Sequence, residues 1–362
     1  MDNETQTSRE KKTLASGGKN SVFLEHVQGL RTPRQASTRL DEAANLPKIN
    51  KLIGDVWCEG ELHILFADTG LGKSIWAIQW ADSISKGKSL LSLFDNQSEP
   101  LTTIVYDFEL SDKQFFTRYS SDDGRKYMFA KNLYVDQINM ADLLGDNSTS
   151  HFMEILFEKF KYDIKKTGAK VIFIDNITYL STMSTADTQA ALEIMQKLDR
   201  LKKEYEIAIC VIAHTPKRPL NVTLSLNDLG GSKQLSNFCD SISVLGSSKL
   251  GKEFRYFKQI KPSRTGEKIY DTNNVVTLKL EKPDNFLRMK FEGFSSEFDH
   301  LGDGQENQTN VTSQMEEVFE FYKQGYSYRD ISEKLNIPKS TIYNWIKGKK
   351  IQDDENNKDL PF

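Results

Sequence analysis

Apolar residues follow two rhythms along the chain. Short unbroken runs stand at 61–67 (ELHILFA), 102–108 (TTIVYDF), 170–175 (KVIFID), 207–214 (IAICVIAH) and 241–246 (SISVLG), the signature of strands covered on both faces. Between them, residues 74–86, 152–166 and 187–205 carry apolar positions at helical spacing, the last at Leu192, Met195, Leu198 and Leu201. This alternation predicts an α/β core in which helices cover both sides of a mainly parallel sheet. Trp76 and Trp80, one turn apart on the first helix, read as core packing. After residue 250 the rhythm shortens, and 253–261, 275–282 and 286–294 predict antiparallel strands that extend the sheet. Residues 295–312 are polar and contain glycine, as in a linker. Three short helical stretches follow at 313–323, 328–335 and 338–347, a small all-α unit over 313–350.

The pattern divides the chain into a tail (1–20), an α/β domain (21–294, with a lead-in to 60), the linker, the helical unit and an acidic tail (351–362). The first 20 residues are too polar to order themselves. At 362 residues the chain has room for one large core and one small satellite. A net charge of -3 argues against a uniformly basic coat, so contact with DNA must come from local patches. Cys58, Cys210 and Cys239 lack paired or metal-ligand spacing and suit reduced core thiols. No run approaches the roughly 18 apolar residues of a membrane span. The expectation is a soluble, cytoplasmic protein that does not engage a membrane.

The candidate chemistry begins at FADTGLGKSIWA, residues 66–77. A loop between strand and helix that holds phosphates needs converging backbone amides, glycines that let the chain curl, a lysine for the β- and γ-charge and a hydroxyl for magnesium. Asp68, Thr69, Gly70, Leu71, Gly72, Lys73, Ser74 and Ile75 supply this pattern, with ATP and Mg²⁺ as the implied ligands. Ala67 stands where the pattern has glycine, which a small side chain allows while its backbone angles stay negative. Asp175 ends an apolar strand and is placed to hold the water shell of the metal opposite Ser74. Glu109 directly follows another strand, where a carboxylate can orient and deprotonate the attacking water; Asp107 is its rival. His214, at a strand tip before Thr215, is placed to sense the γ-phosphate.

ADTGLGKS, VYDFELSDKQFFTRY, VIFIDNI, VIAHTPKR and LNDLGGSKQLSNFCDSISVL together resemble, in order and spacing, the RecA-like ATPase core of hexameric replicative helicases over residues 50–294. The compact RepA type of plasmids and mobile elements is the nearer likeness, and DnaB the more distant. The resemblance implies Lys73 and Ser74 on phosphate and magnesium, Asp175 on the metal, Glu109 as catalytic base and His214 as a switch. It also implies that Arg264 in KPSRTGE, with Lys261 nearby, reaches the γ-phosphate of a neighbouring subunit in a ring, a hexamer in this family. The step from Lys261 to Arg264 is wider than in DnaB. The segments after Asp175 and after His214 correspond to loops that line the channel for single-stranded DNA, with Lys217 and Arg218 meeting phosphates.

In the helical unit, Leu335-Asn336-Ile337 joins the second and third helices as a short turn. Ile331, Leu335, Ile337, Ile342 and Trp345 form its expected core. Lys339, Ser340, Thr341, Tyr343, Asn344 and Lys347 then face outward as a DNA-reading surface, with four lysines and no acid from Lys339 to Lys350. This resembles the DNA-binding end of resolvases and transposase-like proteins; a helical packing or oligomerisation unit is the plainer reading. The close, DDENNKDLPF, resembles the acidic tip of bacterial single-strand binding proteins, which docks replication proteins through a terminal Phe, here Phe362. A merely solubilising tail is its alternative. The expected function is an ATP-hydrolysing motor on DNA in replication or mobilisation of a plasmid or mobile element. An ATP-gated DNA-binding regulator or loading factor without unwinding activity is the competing expectation.

Overall fold

The structure, a computed structural model, describes residues 33–139, 152–176, 187–215, 221–229, 232–302 and 310–358, the side chains of 187–191, 232–234, 310–313 and 350–358 aside. The chain divides into two units, residues 1–48 and 49–362. Within the first, the described residues hold one exposed helix, α1 (Ala36–Ala44), beside an Arg34–Glu42 ion pair.

The second unit opens with a small hairpin of β1 (Lys51–Ile53) and β2 (Trp57–Cys58). There follow β3 (Leu62–Ala67), α2 (Lys73–Ser85), β4 (Thr103–Asp107), α3 (Asp112–Arg118), β5 (Leu133–Gln137), α4 (Phe152–Thr167), β6 (Val171–Asp175), α5 (Asp187–Tyr205), β7 (Ala208–His214), α6 (Ser232–Phe238), β8 (Ser241–Ser247), β9 (Phe254–Lys261), β10 (Val275–Glu281) and β11 (Arg288–Ser295). These strands form one sheet in the order β11-β10-β9-β8-β3-β7-β6-β4-β5. From β8 to β5 neighbours are parallel; β8 to β11 are antiparallel. This is the α/β architecture expected from the alternating pattern, a mainly parallel sheet extended by antiparallel strands.

Two cores follow from the period of two along each strand. Ile64 and Phe66 of β3, Ile172 and Ile174 of β6 and Ile209 and Val211 of β7 pack with α4 and α5 on one face. Leu65, Val171, Phe173, Cys210 and Ile212 pack on the other with α2, where Trp76 and Trp80 are fully buried, 5.9 Å apart and edge-to-face. Each strand therefore needs apolar residues at consecutive positions, which is why the runs are unbroken.

One strand and two boundaries differ from expectation. The edge strand β5 went unforeseen, because it has no buried face to write an apolar rhythm into LYVDQ. The expected linker at 295–312 begins later: Ser295 ends β11, and Glu297, His300 and Leu301 are buried. A polar segment is held inside here because its charge is matched. Glu297 pairs with Lys258, accepts from the Tyr256 hydroxyl at 2.9 Å and accepts from the Leu224 amide at 2.6 Å.

Beyond the sheet stand α7 (Asn310–Lys323), α8 (Tyr328–Leu335) and α9 (Lys339–Lys358). Ser327 and Asp330 close a capping box at the start of α8, and Asn336, with φ 54, ends it in the left-handed conformation that turns the chain sharply into α9. Ile331, Ile337, Ile342 and Trp345 are buried with Val318 and Ile346, and Leu335 packs against them. The third helix runs on to Lys358, well past the expected 347.

Candidate nucleotide site and helix-turn-helix

Register assembles the site. Ala67 on β3 pairs with His214 on β7, and Asp107 on β4 pairs with Asp175 on β6, so four strand ends present these side chains along one edge of the sheet. The loop that leaves β3 needs glycine at two points: Gly70 has φ 78 and Gly72 φ 91, and Gly72 is the residue from which α2 starts. The amino end of α2, with its free amides, thus stands beside the strand tips.

Lys73 is buried at the start of that helix. Its ammonium donates to the carbonyls of Ala67 at 3.0 Å and Asp68 at 2.9 Å and lies 3.0 Å from His214 Nδ1. Burial pulls its pKa down to about 8 against the opposing pull of Asp175, Glu109 and Asp68. Asp175 is buried too, and loss of water pushes its carboxyl up to about 7, against a hydrogen bond from Ser74. Both ionised forms are penalised by burial, and a divalent cation with a polyphosphate relieves both, so these residues fit magnesium-bound nucleotide.

The two candidate bases have different surroundings. Asp107 is buried, and its Oδ1 accepts from the Glu109 and Leu110 amides at 2.9 and 2.8 Å, which commits it to shaping the turn after β4. The Glu109 carboxylate is half exposed and accepts from the Asn176 side-chain amide at 2.5 Å. Asn176 also lies 3.0 Å from His214 Nε2, and Nε2 stands 3.7 Å from Glu109 Oε1. Burial and the Lys73 charge lower the pKa of His214, so the ring is neutral near pH 7. Its Nδ1 faces an ammonium and its Nε2 an amide nitrogen, both of which only donate, so the neutral ring accepts from one of the two at a time.

Lys73, Ser74, Asp175, Glu109 and His214 are therefore brought together, and Asn176 and Arg255 join them. The Arg255 side chain, largely buried, donates to the Leu71 carbonyl at 3.0 Å and props the phosphate loop from β9. Asn176 could have been suspected from its place beside a strand-end acid; nothing near Arg255 in sequence announces its partner.

Arg264 lies at the far end of the sheet. Its Nε is 2.5 Å from Asp240 and its amide donates to Glu61, both beside the first residue of β3. Lys261 donates to the Cys239 carbonyl at 2.6 Å. Lys217 and Arg218 lie outside the described residues, as do the C-terminal Leu360, Pro361 and Phe362.

The helical unit corrects part of the expected DNA surface. Lys339 and Tyr343 are exposed and Ser340 and Thr341 half-buried, but Asn344 is buried and Lys347 is drawn inward. Lys347 pairs with Asp95 of the α/β core at 2.8 Å, and the Trp345 indole N–H donates to Asn274 at 2.5 Å. The outward face of an isolated helical unit is here partly a face against the core.

Residues 30–219, more than half of the chain, match the family model described as the AAA domain. The chain belongs to the AAA domain family. Residues 317–350 match a second model, the homeodomain-like domain. Among the curated proteins none matches. Among solved structures, the chain is similar to a KaiC-like protein of the hyperthermophilic archaeon Pyrococcus horikoshii OT3, at 13% identity and a TM-score of 0.43, over 67% of this chain and 99% of that one. This AAA domain protein is thus an ATPase of the P-loop class with a C-terminal helix-turn-helix. Among its described residues no helix is long and apolar enough to cross a membrane.

Proposed function

We propose that this ATPase is a ring-forming motor on single-stranded DNA, acting in replication or mobilisation of a plasmid or mobile element, with the helix-turn-helix directing it to duplex sites. The supporting observation is the polar chain Glu109–Asn176–His214–Lys73, which links a candidate base and the phosphate-loop lysine to the ends of β6 and β7. Those strand ends lead into the segments expected to meet DNA, including Lys217 and Arg218. A change at the γ-phosphate therefore has a short route through these polar contacts to the DNA loops.

In this reading, ATP with Mg²⁺ supplies the transferable phosphoryl group and the cation that neutralises its charge. Asp68, Thr69, Gly70, Leu71, Gly72 and Ile75 frame the loop whose amides hold the phosphates. Lys73 neutralises developing charge, Ser74 and Asp175 orient the metal, and Glu109 takes the proton of the attacking water. His214, neutral and tethered through Asn176, reports the state of the site. Arg264 acts between subunits: it stands beyond the start of β3, whereas Lys73 follows its end, and six residues of strand span about 20 Å. A homo-oligomer, in the family's manner a hexamer, would bring it to the next site. The terminal Phe362 would dock replication proteins, and removing Pro361 and Phe362 should then abolish their capture.

The deciding experiment measures ATP turnover and strand displacement together, on forked and blunt duplexes, with assembly mass recorded. The motor reading expects turnover stimulated by single strands and displacement of the forked duplex, both lost in Lys73→Ala. Sequence-selective duplex binding without ATP, and no displacement, would instead establish the ATP-gated regulator. The packing of α9 against the core favours that second reading, because it ties the DNA-reading unit to the ATPase.

A further inference from the structure

The third helix of a helix-turn-helix ordinarily offers one side to its own core and the other to the major groove. In this chain α9 spends part of its second side on the α/β core. Ser340, Asn344 and Lys347 line a cleft of about 390 Å³ whose opposite wall carries Asp55, Asp95 and Glu267. Lys347 reaches across to the Asp95 carboxylate and to the Leu93 carbonyl at 3.3 Å. Asp55 is shared with Lys51 at 2.7 Å. A row of carboxylates thus stands opposite a helix face that, in the proposed function, meets DNA phosphates.

The approach is close, and particular residues allow it. Gly348 is buried against β11: a Cβ there would lie 2.4 Å from Phe294, so any larger residue would push the helix off the strand. Trp345 closes the contact from beside it, donating to Asn274, which is itself buried and anchored to the Ile269 carbonyl at 2.9 Å. An isolated surface ion pair contributes little, but here it sits beside a buried indole hydrogen bond and a helix-on-strand apolar contact.

We propose that the ATPase core is an intramolecular competitor of duplex DNA: its Asp55–Asp95–Glu267 wall occupies the α9 face that would otherwise meet phosphate. The helix-turn-helix binds duplex only after α9 leaves the core. This rests on the reading that α9 contacts DNA, and the two are tested apart. Sequestration lowers apparent affinity by the fraction of molecules already released, so if about one chain in ten is open, release raises affinity roughly tenfold.

The test uses the full chain. Asp95→Lys sets like charge against Lys347, and Glu99→Lys, the same charge change at a nearby exposed position outside the cleft, is the control. Duplex affinity is read by fluorescence anisotropy with a pool of mixed-sequence short duplexes, and the state of α9 by hydrogen exchange over residues 339–349. The expected result is faster exchange in Asp95→Lys alone, with affinity about tenfold above that of Glu99→Lys, and loss of the gain on adding Lys347→Ala. Equal affinity of the two lysine variants, or unchanged exchange in Asp95→Lys, would overturn the proposal. Faster exchange with no duplex binding by any of the proteins would refute α9 as a DNA-reading helix, and with it the competition, while leaving the contact itself established.

Discussion

Replacing Glu109 and Asp107 separately distinguishes the two carboxylates at the end of β4. In Glu109→Gln the side chain keeps its length and its acceptor oxygen for Asn176, but it can no longer take a proton. Loss of a general base costs about 10²–10⁴ in rate, or roughly 3–5 kcal/mol of barrier. Nucleotide affinity should be kept, because Lys73, Ser74 and the loop are untouched. Folding stability should move by less than about 0.5 kcal/mol, since the carboxylate is half exposed. Asp107→Asn has the opposite profile. The amide oxygen still accepts from the Glu109 and Leu110 amides, losing charge assistance worth about 1 kcal/mol. Burial already raises the pKa of Asp107, so a neutral group is relieved of a desolvation cost of the opposite sign. The turn therefore survives, and turnover should fall by less than about tenfold. The assay is phosphate release at saturating ATP and Mg²⁺, paired with binding of a fluorescent ATP analogue. A collapse of turnover in Asp107→Asn with Glu109→Gln nearly normal would refute the assignment and move the base to Asp107.

Three further outcomes are expected. Lys73→Ala and Arg264→Ala should each be inactive alone, yet mixing them should restore turnover, since one subunit brings Lys73 and its neighbour Arg264; no recovery in mixed assemblies would end the shared-site account. Glu297→Ala leaves Lys258 buried without its partner and strands the Tyr256 hydroxyl and Leu224 amide, so a denaturant melt should show a loss of about 3–5 kcal/mol, and a loss under about 1 kcal/mol would contradict the role given to that pair. Asp175, raised to about 7 in the fold, holds a proton that the unfolded chain releases near pH 3.9. Its contribution to stability is fully present below about pH 4 and is lost as pH climbs to about 7, by at most ~1.4 kcal/mol per pH unit. Asp175→Asn should flatten that part of the stability profile, and an unchanged profile would place the pH dependence elsewhere.

What could be read in the sequence was whatever the backbone repeats locally. The buried strands announce themselves because two covered faces demand apolar residues at most positions; Asp175, Glu109 and His214 were found because each sits at or just past the end of such a run, and Lys73 from the phosphate-loop pattern between strand and helix. Residues whose work depends on register stayed hidden. Asn176 meets Glu109 and His214 only once β4, β6 and β7 are aligned, and Arg255 meets Leu71 across 184 positions of sequence. The stretch around Glu297 looked like linker because polarity suggests solvent; only the Lys258 and Tyr256 partners, distant in sequence, make its burial tolerable. On α9, helical spacing separated the core residues of the small unit from the rest, but it could not say what covers the rest. Lys347 and Asp95 are 252 positions apart, and that pairing turned an expected outward lysine inward.

The most direct test of the central claim, that the ends of β3, β4, β6 and β7 form one phosphoryl-transfer site, is single-turnover hydrolysis of ATP by the full chain with Mg²⁺, wild type beside Lys73→Ala. The account predicts a defined burst of phosphate from the wild type and none above background from a folded Lys73→Ala chain. Equal phosphate release from both proteins would contradict it.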